Sequence, residues 1–252
     1  MSITLYGAEE MEAIARAGRI LAALYRVIPE RVAPGATTAQ LDRFAEDFIR
    51  GHEGAEPAFK GLYGFPATLC ISVNHEVVHG IPSHRRKLAE GDIVSVDCGV
   101  RLGGFYADAA KTYPVGEVAP EVAELLERTE AALHRGIAEA RPGRRLGDVG
   151  AAIEEVATDK GYGVVRELVG HGVGRKPHED PQVPNYGKRG KGMPLAAGMV
   201  LAIEPMFNLG VERVRTLPDK WTVVTLDHKV SAHFEHTVGI TENGPRILTD
   251  GS

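Results

Sequence analysis

Four carboxylates in widely separated stretches of the chain are each enclosed by apolar residues. Burying an ionised carboxylate costs several kcal/mol unless the group is paired or binds a metal, so such groups need partners. A single one is more often an outward-facing acid on an alternating strand, but four together favour one shared polar site. The four are Asp97, Asp108, Glu204 and Glu235, in the contexts Val96-Asp97-Cys98, Ala107-Asp108-Ala109, Ile203-Glu204-Pro205 and Phe234-Glu235-His236.

A histidine between glycines is a candidate to join this site. His171 lies in Gly170-His171-Gly172-Val173-Gly174, where glycines let the backbone approach a ligand and leave the imidazole free to enter a cavity. A structural hydrogen-bonding role is the alternative, both for His171 and for His178 seven residues later. The same run resembles half of a dinucleotide-binding loop, but it lacks the third glycine and the following acidic residue.

The carboxylates and the imidazole predict a pair of divalent metal ions. Asp97 and Asp108 are eleven residues apart, which fits a hairpin that turns at Gly103-Gly104 and places both carboxylates at one end. Two divalent ions would balance the charge of the four carboxylates. Ions about 3.5–4 Å apart can share bridging carboxylates and a hydroxide. An oxygen-rich donor set with one imidazole and no thiolate suits Mn2+, Fe2+ or Co2+, with Zn2+ as a further option.

Two amphipathic helices precede a group of strands, and the same order then repeats. Thr37 followed by Gln40 fits a capping box at the start of the second helix, which is expected to end near Gly51. The hydrophobic periodicity predicts helices at about 8–29, 37–51, 122–137 and 146–156, and strands at 69–73, 93–98 and 105–113.

This repeated order indicates an internal duplication. Pro34-Gly35 and Pro142-Gly143 are 108 residues apart, and the strand that ends at Asp97 matches the strand that ends at Glu204 at an offset of 107. Chance similarity between two buried strands is the alternative. Duplication predicts that the halves meet near a pseudo-twofold axis, with these two carboxylates facing each other across a cleft. The predicted boundaries are 1–252 for a single domain and about 8–115 and 116–248 for its halves.

Six short motifs follow one another in an order that is specific as a set. They are Asn74-His75-Glu76-Val77-Val78-His79-Gly80-Ile81-Pro82, the strand 91–99, the Asp108 segment, 170–174 through His178-Glu179-Asp180-Pro181, Glu204-Pro205 and Phe234-Glu235-His236-Thr237. The set resembles the type I methionine aminopeptidases over almost the whole chain. The resemblance implies an α+β pita-bread fold, with two pseudo-twofold-related ααβ halves around a central antiparallel sheet. It also implies a metal-dependent hydrolase that removes the initiator methionine from nascent polypeptides and prefers a small second residue.

The resemblance implies a role for each metal-binding residue. Asp97 resembles the ligand of one ion, and His171 and Glu204 resemble ligands of the other. Asp108 and Glu235 resemble the bridges between the ions. A hydroxide shared by the ions would attack the methionine carbonyl, with Glu204 as the general base.

Further residues resemble the catalytic and substrate-binding groups of these enzymes. His79 and His178 resemble two histidines that contact the scissile amide of the substrate, and a core histidine is the alternative for each. By position, Phe65, Cys70 and Trp221 resemble the methionine pocket together with His79. Core packing is the alternative for Trp221, and a buried inert thiol is the alternative for Cys70.

Other members of the fold family are the competing interpretations. The 26 residues from His178 to Glu204 leave no room for the helical subdomain of the type II enzymes. Proline-directed peptidases carry an additional N-terminal domain, and a catalytically silent binding module is expected to lose metal ligands. Leu62 and Pro177 replace an aromatic and a bulky apolar residue of the family pattern, so we expect a pocket that is wider or differently shaped.

Composition excludes several classes of protein. The chain is 43% hydrophobic and 25% charged with a net charge of −5, which is typical of a folded soluble protein and does not support nucleic-acid binding. Two cysteines suit a reducing compartment, with a single disulfide as the alternative. The sequence has neither a secretory pattern nor an apolar run of about 18 residues, so we expect a cytoplasmic monomer without membrane contact. The basic stretches 84–87 and 141–145 could touch the ribosome, with solvated loops as the alternative. The small residue after Met1 predicts a mature chain that starts at Ser2.

Overall fold

Two pairs of helices and many short strands make up the protein, seen here in a computed structural model that describes residues 3–251. The expected removal of Met1 lies outside these residues. The helices are α1 (Ala8–Val27), α2 (Thr38–Arg50), α3 (Pro120–Glu139) and α4 (Leu146–Thr158). The strands are β1 (Ala55–Pro57), β2 (Leu69–Val73), β3 (Glu76–Val78), β4 (Ile93–Leu102), β5 (Phe105–Pro114), β6 (Gly163–Val164), β7 (Gly170–Gly172), β8 (Glu179–Val183), β9 (Val200–Ile203), β10 (Met206–Asn208), β11 (Val214–Thr216), β12 (Val223–Thr225), β13 (Ser231–His233), β14 (Glu235–Thr241) and β15 (Gly244–Ile247).

Most strands belong to one curled antiparallel sheet. Its order is β1-β4-β5-β14-β9-β7-β8, with β2 also paired to β4 and β15 to β14. At the centre β5 pairs with β14, and Ala110 lies opposite Glu235. Two smaller sheets have the orders β13-β10-β6 and β11-β12-β3. The central pairing therefore joins strands of the first half directly to strands of the second.

The helix pairs of the two halves match in length. Helices α1 and α3 each have 20 residues, and α2 and α4 each have 13. Thr37, just before α2, forms an isolated β-bridge with Lys87, and Arg145, just before α4, forms one with Pro194. These bridges are offset by 108 and 107 residues, as in the sequence repeat. The structure thus repeats the offset that the sequence shows.

The helices cover one face of the sheet and leave the other face to the carboxylates. Val94, Val96 and Cys98 of β4 belong to the hydrophobic cluster that includes Leu21 of α1. Because successive side chains on a strand point to opposite faces, Asp97 lies on the face away from the helices. Helices α3 and α4 form a second hydrophobic cluster with residues of β9 and β14.

The hairpin of β4 and β5 differs from the prediction in where its carboxylates lie. It turns at Gly103-Gly104 as predicted, but β4 continues to Leu102. Asp97 pairs with Ala110, and Asp108 is two residues from that partner. The two carboxylates are therefore diagonal neighbours on one face, in the middle of the hairpin. The prediction that both lie at one end of the hairpin was wrong.

The structure describes three features on which composition gave expectations: the cysteines, the basic stretches and the helices. Cys70 and Cys98 are both buried free thiols, so the alternative of a disulfide is not realised. The basic side chains at 85, 87, 141, 144 and 145 are exposed. Within residues 3–251, no helix combines the length and the apolar character needed to span a bilayer.

Candidate active site

One cavity of about 790 Å³ collects the residues that the sequence singled out. Strands from both halves contribute to its wall. The predicted site residues that line it are Phe65, Cys70, His79, Asp97, Asp108, His171, His178, Glu204, Trp221 and Glu235. Polar groups thus share the cavity with an apolar wall.

The first half supplies Asp97 and Asp108, which are 8% and 4% exposed. The backbone of Asp108 is held by Thr237 on β14. The Asp108 N–H donates to Thr237 Oγ1 at 2.9 Å, and that hydroxyl donates to the Asp108 carbonyl at 2.8 Å. The hairpin of the first half is therefore fixed to the strand that carries Glu235.

In the second half, β7 and β9 bring His171 close to Glu204. A Cβ at Gly170 would lie 2.2 Å from the carbonyl oxygen of Ala202, and one at Gly172 would meet the backbone of β8. The glycines are thus explained by close contact between strands. His171 Nδ1 lies 2.8 Å from the Gly172 carbonyl, which can only accept, so in a neutral ring Nε2 keeps its lone pair. This Nε2 is 3.7 Å from Glu204 Oε1.

Several buried carboxylate oxygens lack partners. Among the described residues, Asp97 Oδ1, Asp108 Oδ1 and Glu235 Oε1 accept no hydrogen bond. Ligand atoms of Asp108, His171 and Glu235 all lie within 4.8 Å of one another. Asp97 and Glu204 lie outside this tight group but on the wall of the same cavity. Three unsatisfied oxygens and an available imidazole nitrogen fit divalent metal ions.

Burial and mutual repulsion act on the same carboxylates. Burial, with a further contribution from the charge of Glu204, raises the pKa of Asp108 to about 8. Burial and then the charge of Asp108 raise the pKa of Asp97 and of Glu235 well above the usual range. A cation between these groups would reverse both effects, because it favours their ionised forms. The electrostatics therefore also fit a metal centre.

His79 is held at a strained turn at the end of β3. Its φ of 60° lies in the left-handed region, which non-glycine residues rarely adopt and which recurs at functional sites. The next residue, Gly80, packs so tightly on β2 that a Cβ would lie 2.1 Å from the carbonyl oxygen of Ile71. Gly80 also accepts a hydrogen bond from the Ile71 N–H at 2.8 Å. Burial lowers the pKa of His79, which favours the neutral ring.

His178 is placed by two rings. It meets His171 edge to face at a centroid distance of 4.5 Å and stacks on Tyr63 at 5.8 Å. Burial, followed by the neighbouring His171, lowers the pKa of His178 to about 4, so the ring is neutral near pH 7. Tyr63, which is 74% exposed, forms the rim of the cavity and was not foreseen from the sequence.

The apolar wall is a small cluster of its own. Phe65 and Trp221 make an edge-to-face contact with a centroid distance of 5.1 Å, and Cys70 and Leu62 pack beside them. Burial raises the pKa of the Cys70 thiol, which favours the neutral thiol over the thiolate. Leu62 lines the cavity.

Two further residues near the centre were missed by the sequence reasoning. Thr237 clamps Asp108, and His233 places Nε2 3.5 Å from Glu204 Oε2. Each is two residues from Glu235 in an extended stretch, and residues two apart on a strand share a face. That spacing was the available signal.

Comparison with known proteins decides the family. Residues 12–242 match the model described as metallopeptidase family M24. The chain belongs to this family. Over 247 residues, this M24 chain is 53% identical to the methionine aminopeptidase of Clostridium perfringens, with 98% of each chain covered. The resemblance to the type I methionine aminopeptidases is confirmed.

Solved structures agree with the fold of this M24 chain. The methionine aminopeptidase of Thermotoga maritima matches with a TM-score of 0.96 and 45% identity, covering 98% of this chain and 99% of that one. The prolidase of Pyrococcus furiosus matches with a TM-score of 0.79 and 26% identity, covering 98% of this chain but 65% of the prolidase. The α+β pita-bread fold is therefore confirmed.

Proposed function

We propose that this M24 peptidase removes N-terminal methionine from nascent polypeptides and prefers a small second residue. The observation that carries the proposal is the convergence of Asp108, His171 and Glu235, with unpartnered carboxylate oxygens, beside an apolar wall. The 53% identity to a named methionine aminopeptidase supports this substrate over others of the family. Hydrolysis is the reaction that such a donor set serves.

Two divalent ions, Co2+, Mn2+, Fe2+ or Zn2+, would be held by five side chains. Asp97 would hold one ion, His171 and Glu204 would hold the other, and Asp108 and Glu235 would contribute to both. When bound, such ions supply an activated water near neutral pH and Lewis-acid polarisation of the substrate carbonyl.

The side chains of the protein would handle the protons and the developing charge. Glu204 accepts the proton of the attacking water and returns it to the leaving amine. His178 is neutral near pH 7 because its pKa is lowered to about 4, and its N–H donates to the developing oxyanion. His79, also favoured as a neutral ring, donates to the scissile amide or the intermediate. Removing one such donor typically costs about 10²- to 10³-fold in rate.

The apolar wall would select the first side chain. Methionine is unbranched and polarizable, so it suits a surface of aromatic rings and sulfur. Phe65, Cys70 and Trp221 offer that surface, with His79 on the wall of the same cavity. We expect a small second residue, because a cleft that holds the substrate N-terminus beside two ions would leave little space next to it.

Peptide cleavage by the metal-loaded protein tests the proposal. Mn2+ is added to metal-free protein, and release of methionine from Met-Ala-Ser is compared with cleavage of an X-Pro peptide. We expect methionine release and no cleavage of the X-Pro bond. Cleavage of only the X-Pro bond would make the chain a proline-directed peptidase, and bound metal without any cleavage would make it a binding module.

The variant Glu204→Gln should keep its fold and some metal but lose turnover.

The remaining expectations stay predictions from the sequence. They concern transient ribosome contact through the basic stretches 84–87 and 141–145, a monomeric state and a cytoplasmic location.

A further inference from the structure

His233 is a buried histidine that the proposed mechanism does not use. Its side chain is 1% exposed, and neither ring nitrogen has a hydrogen-bond partner among the described residues. Buried polar groups are nearly always hydrogen-bonded, because leaving one unsatisfied is costly. An imidazole in this position therefore calls for a partner close by.

The backbone of His233 is firmly anchored to the first half. Its N–H donates to Thr112 Oγ1 at 2.9 Å, and Thr112 Oγ1 donates to its carbonyl at 2.7 Å. The Thr112 hydroxyl also contacts Ser95 Oγ at 2.8 Å. On its other side β13 pairs with β10, where Met206 lies opposite His233. The ring thus extends from a fixed backbone, which is what a residue that orients another group requires.

The carboxylate of Glu204 faces the ring of His233. Its two oxygens face two different imidazoles, with Oε1 3.7 Å from His171 Nε2 and Oε2 3.5 Å from His233 Nε2. The main chain of Glu204 is separately held, because its carbonyl accepts a hydrogen bond from Asn185 Nδ2 at 3.0 Å. What His233 can add is control of the orientation of the carboxylate.

We propose that His233 is a positioning residue that donates a hydrogen bond from Nε2 to Glu204 Oε2 and so keeps Oε1 turned toward His171. A neutral imidazole has one donor and one acceptor nitrogen, and an ionised carboxylate only accepts, so this contact selects the Nε2–H tautomer. Partners of this kind orient metal-binding carboxylates and tune the centre. The inference deepens the proposed function, since it concerns the same site.

The tautomer is the first test, and it needs no substitution. Nitrogen-15 NMR of the metal-free wild-type protein distinguishes a ring protonated at Nε2 from one protonated at Nδ1, and His233→Gln identifies the signal by its loss. We expect His233 to be the Nε2–H tautomer. A proton on Nδ1 would overturn the proposal.

Paired variants give the second test. His233→Gln can place an amide N–H near the position of Nε2, whereas His233→Leu offers no donor. We expect the leucine variant to lose about 10- to 100-fold in Mn2+ affinity and in kcat for Met-Ala-Ser, the usual effect of removing such a partner, with KM little changed. The glutamine variant should stay close to wild type in Mn2+ affinity, measured by calorimetry, and in kcat. His84→Leu, an exposed histidine, is the matched control and should match wild type.

Several results would contradict the assignment. Equal losses of Mn2+ affinity and kcat in both variants, or wild-type values in the leucine variant, would show that no hydrogen bond from His233 positions Glu204. Loss of one bound ion in the glutamine variant would make His233 a ligand instead. If the leucine variant does not fold, the glutamine variant and the tautomer still decide. Wild-type protein that binds Mn2+ but leaves Met-Ala-Ser intact would refute the proposed function, while the NMR and calorimetric results would still settle His233.

Discussion

The two halves of the molecule share their helices and central strands but differ in what connects those strands. In the first half β4 runs into β5 through the turn at Gly103-Gly104. In the second half the corresponding strands, β9 and β14, are separated by residues 204–234. That connection begins with Glu204 and also contains strands β10–β13 and two further residues of the site, Trp221 and His233.

The difference separates two tasks. Each half contributes a pair of carboxylates from equivalent strands, although one pair is eleven residues apart and the other thirty-one. The repeated scaffold therefore builds the candidate metal centre. The long connection exists in one half alone and supplies part of the apolar wall, so we expect the asymmetry of the chain to contribute to substrate selection.

Removing one central carboxylate from each half should have the largest effect. Asp108→Asn and Glu235→Gln are each expected to lower Mn2+ affinity and kcat by more than the roughly 10- to 100-fold typical of outer partners. Both should raise the melting temperature of the metal-free protein at neutral pH, because folding without metal must protonate these carboxyl groups, whose pKa is raised, and an amide has no such cost. Calorimetry and thermal unfolding measure these effects, with exposed Asp47→Asn as the control. If only one of the two variants lost Mn2+ affinity, the two halves would not contribute equally to the metal centre.

Changing the long connection should alter substrate selection more than the metal centre. Trp221→Ala removes the ring that contacts Phe65 and should lower kcat/KM for Met-Ala-Ser by about 10- to 200-fold, the range for lost apolar contacts in a pocket. Mn2+ affinity should stay near wild type. Steady-state kinetics and calorimetry separate the two effects, and Trp221→Phe should recover much of the loss. A fall in metal affinity that equals the fall in kcat/KM would contradict the division of tasks.

The smallest effect should come from the helix starts, where the halves differ in chemistry. Thr37 Oγ1 accepts a hydrogen bond from the Gln40 N–H at 3.3 Å, so Thr37→Ala should cost about 1 kcal/mol in the free energy of unfolding. Arg145→Ala should cost less, because the Arg145 N–H is capped by Asp148 Oδ2 at 2.8 Å, which the substitution leaves in place. Urea unfolding measures both, with activity unchanged. Equal losses would show that the two caps are equivalent.

Helices and longer strands could be predicted from the sequence because their apolar residues repeat regularly, whereas the shortest strands could not. The helix that opens at Thr37 follows its capping box, and β2 has the predicted bounds. Helix α1 stops at Val27 instead of Pro29, because Pro29 lies in a 3-10 turn that follows it. Strands β10–β13 have three residues each, too few for an alternating pattern to be recognised.

The candidate site divides in the same way. The carboxylates could be identified because apolar neighbours on both sides made their burial costly. Tyr63 carries no such local signal, since its contact with His178 depends on tertiary packing, and His233 was marked only by its spacing of two residues from Glu235. The apolar wall was predicted through the family resemblance and not through spacing.

The clamp between Thr237 and Asp108 joins residues 129 positions apart in the chain. A polypeptide still emerging during synthesis, with everything up to residue 234 already folded, would have neither this clamp nor Glu235. Its first hairpin would lack the strand that pairs with β5 and carries Glu235. The candidate metal site is thus complete only when strands of both halves have folded against each other.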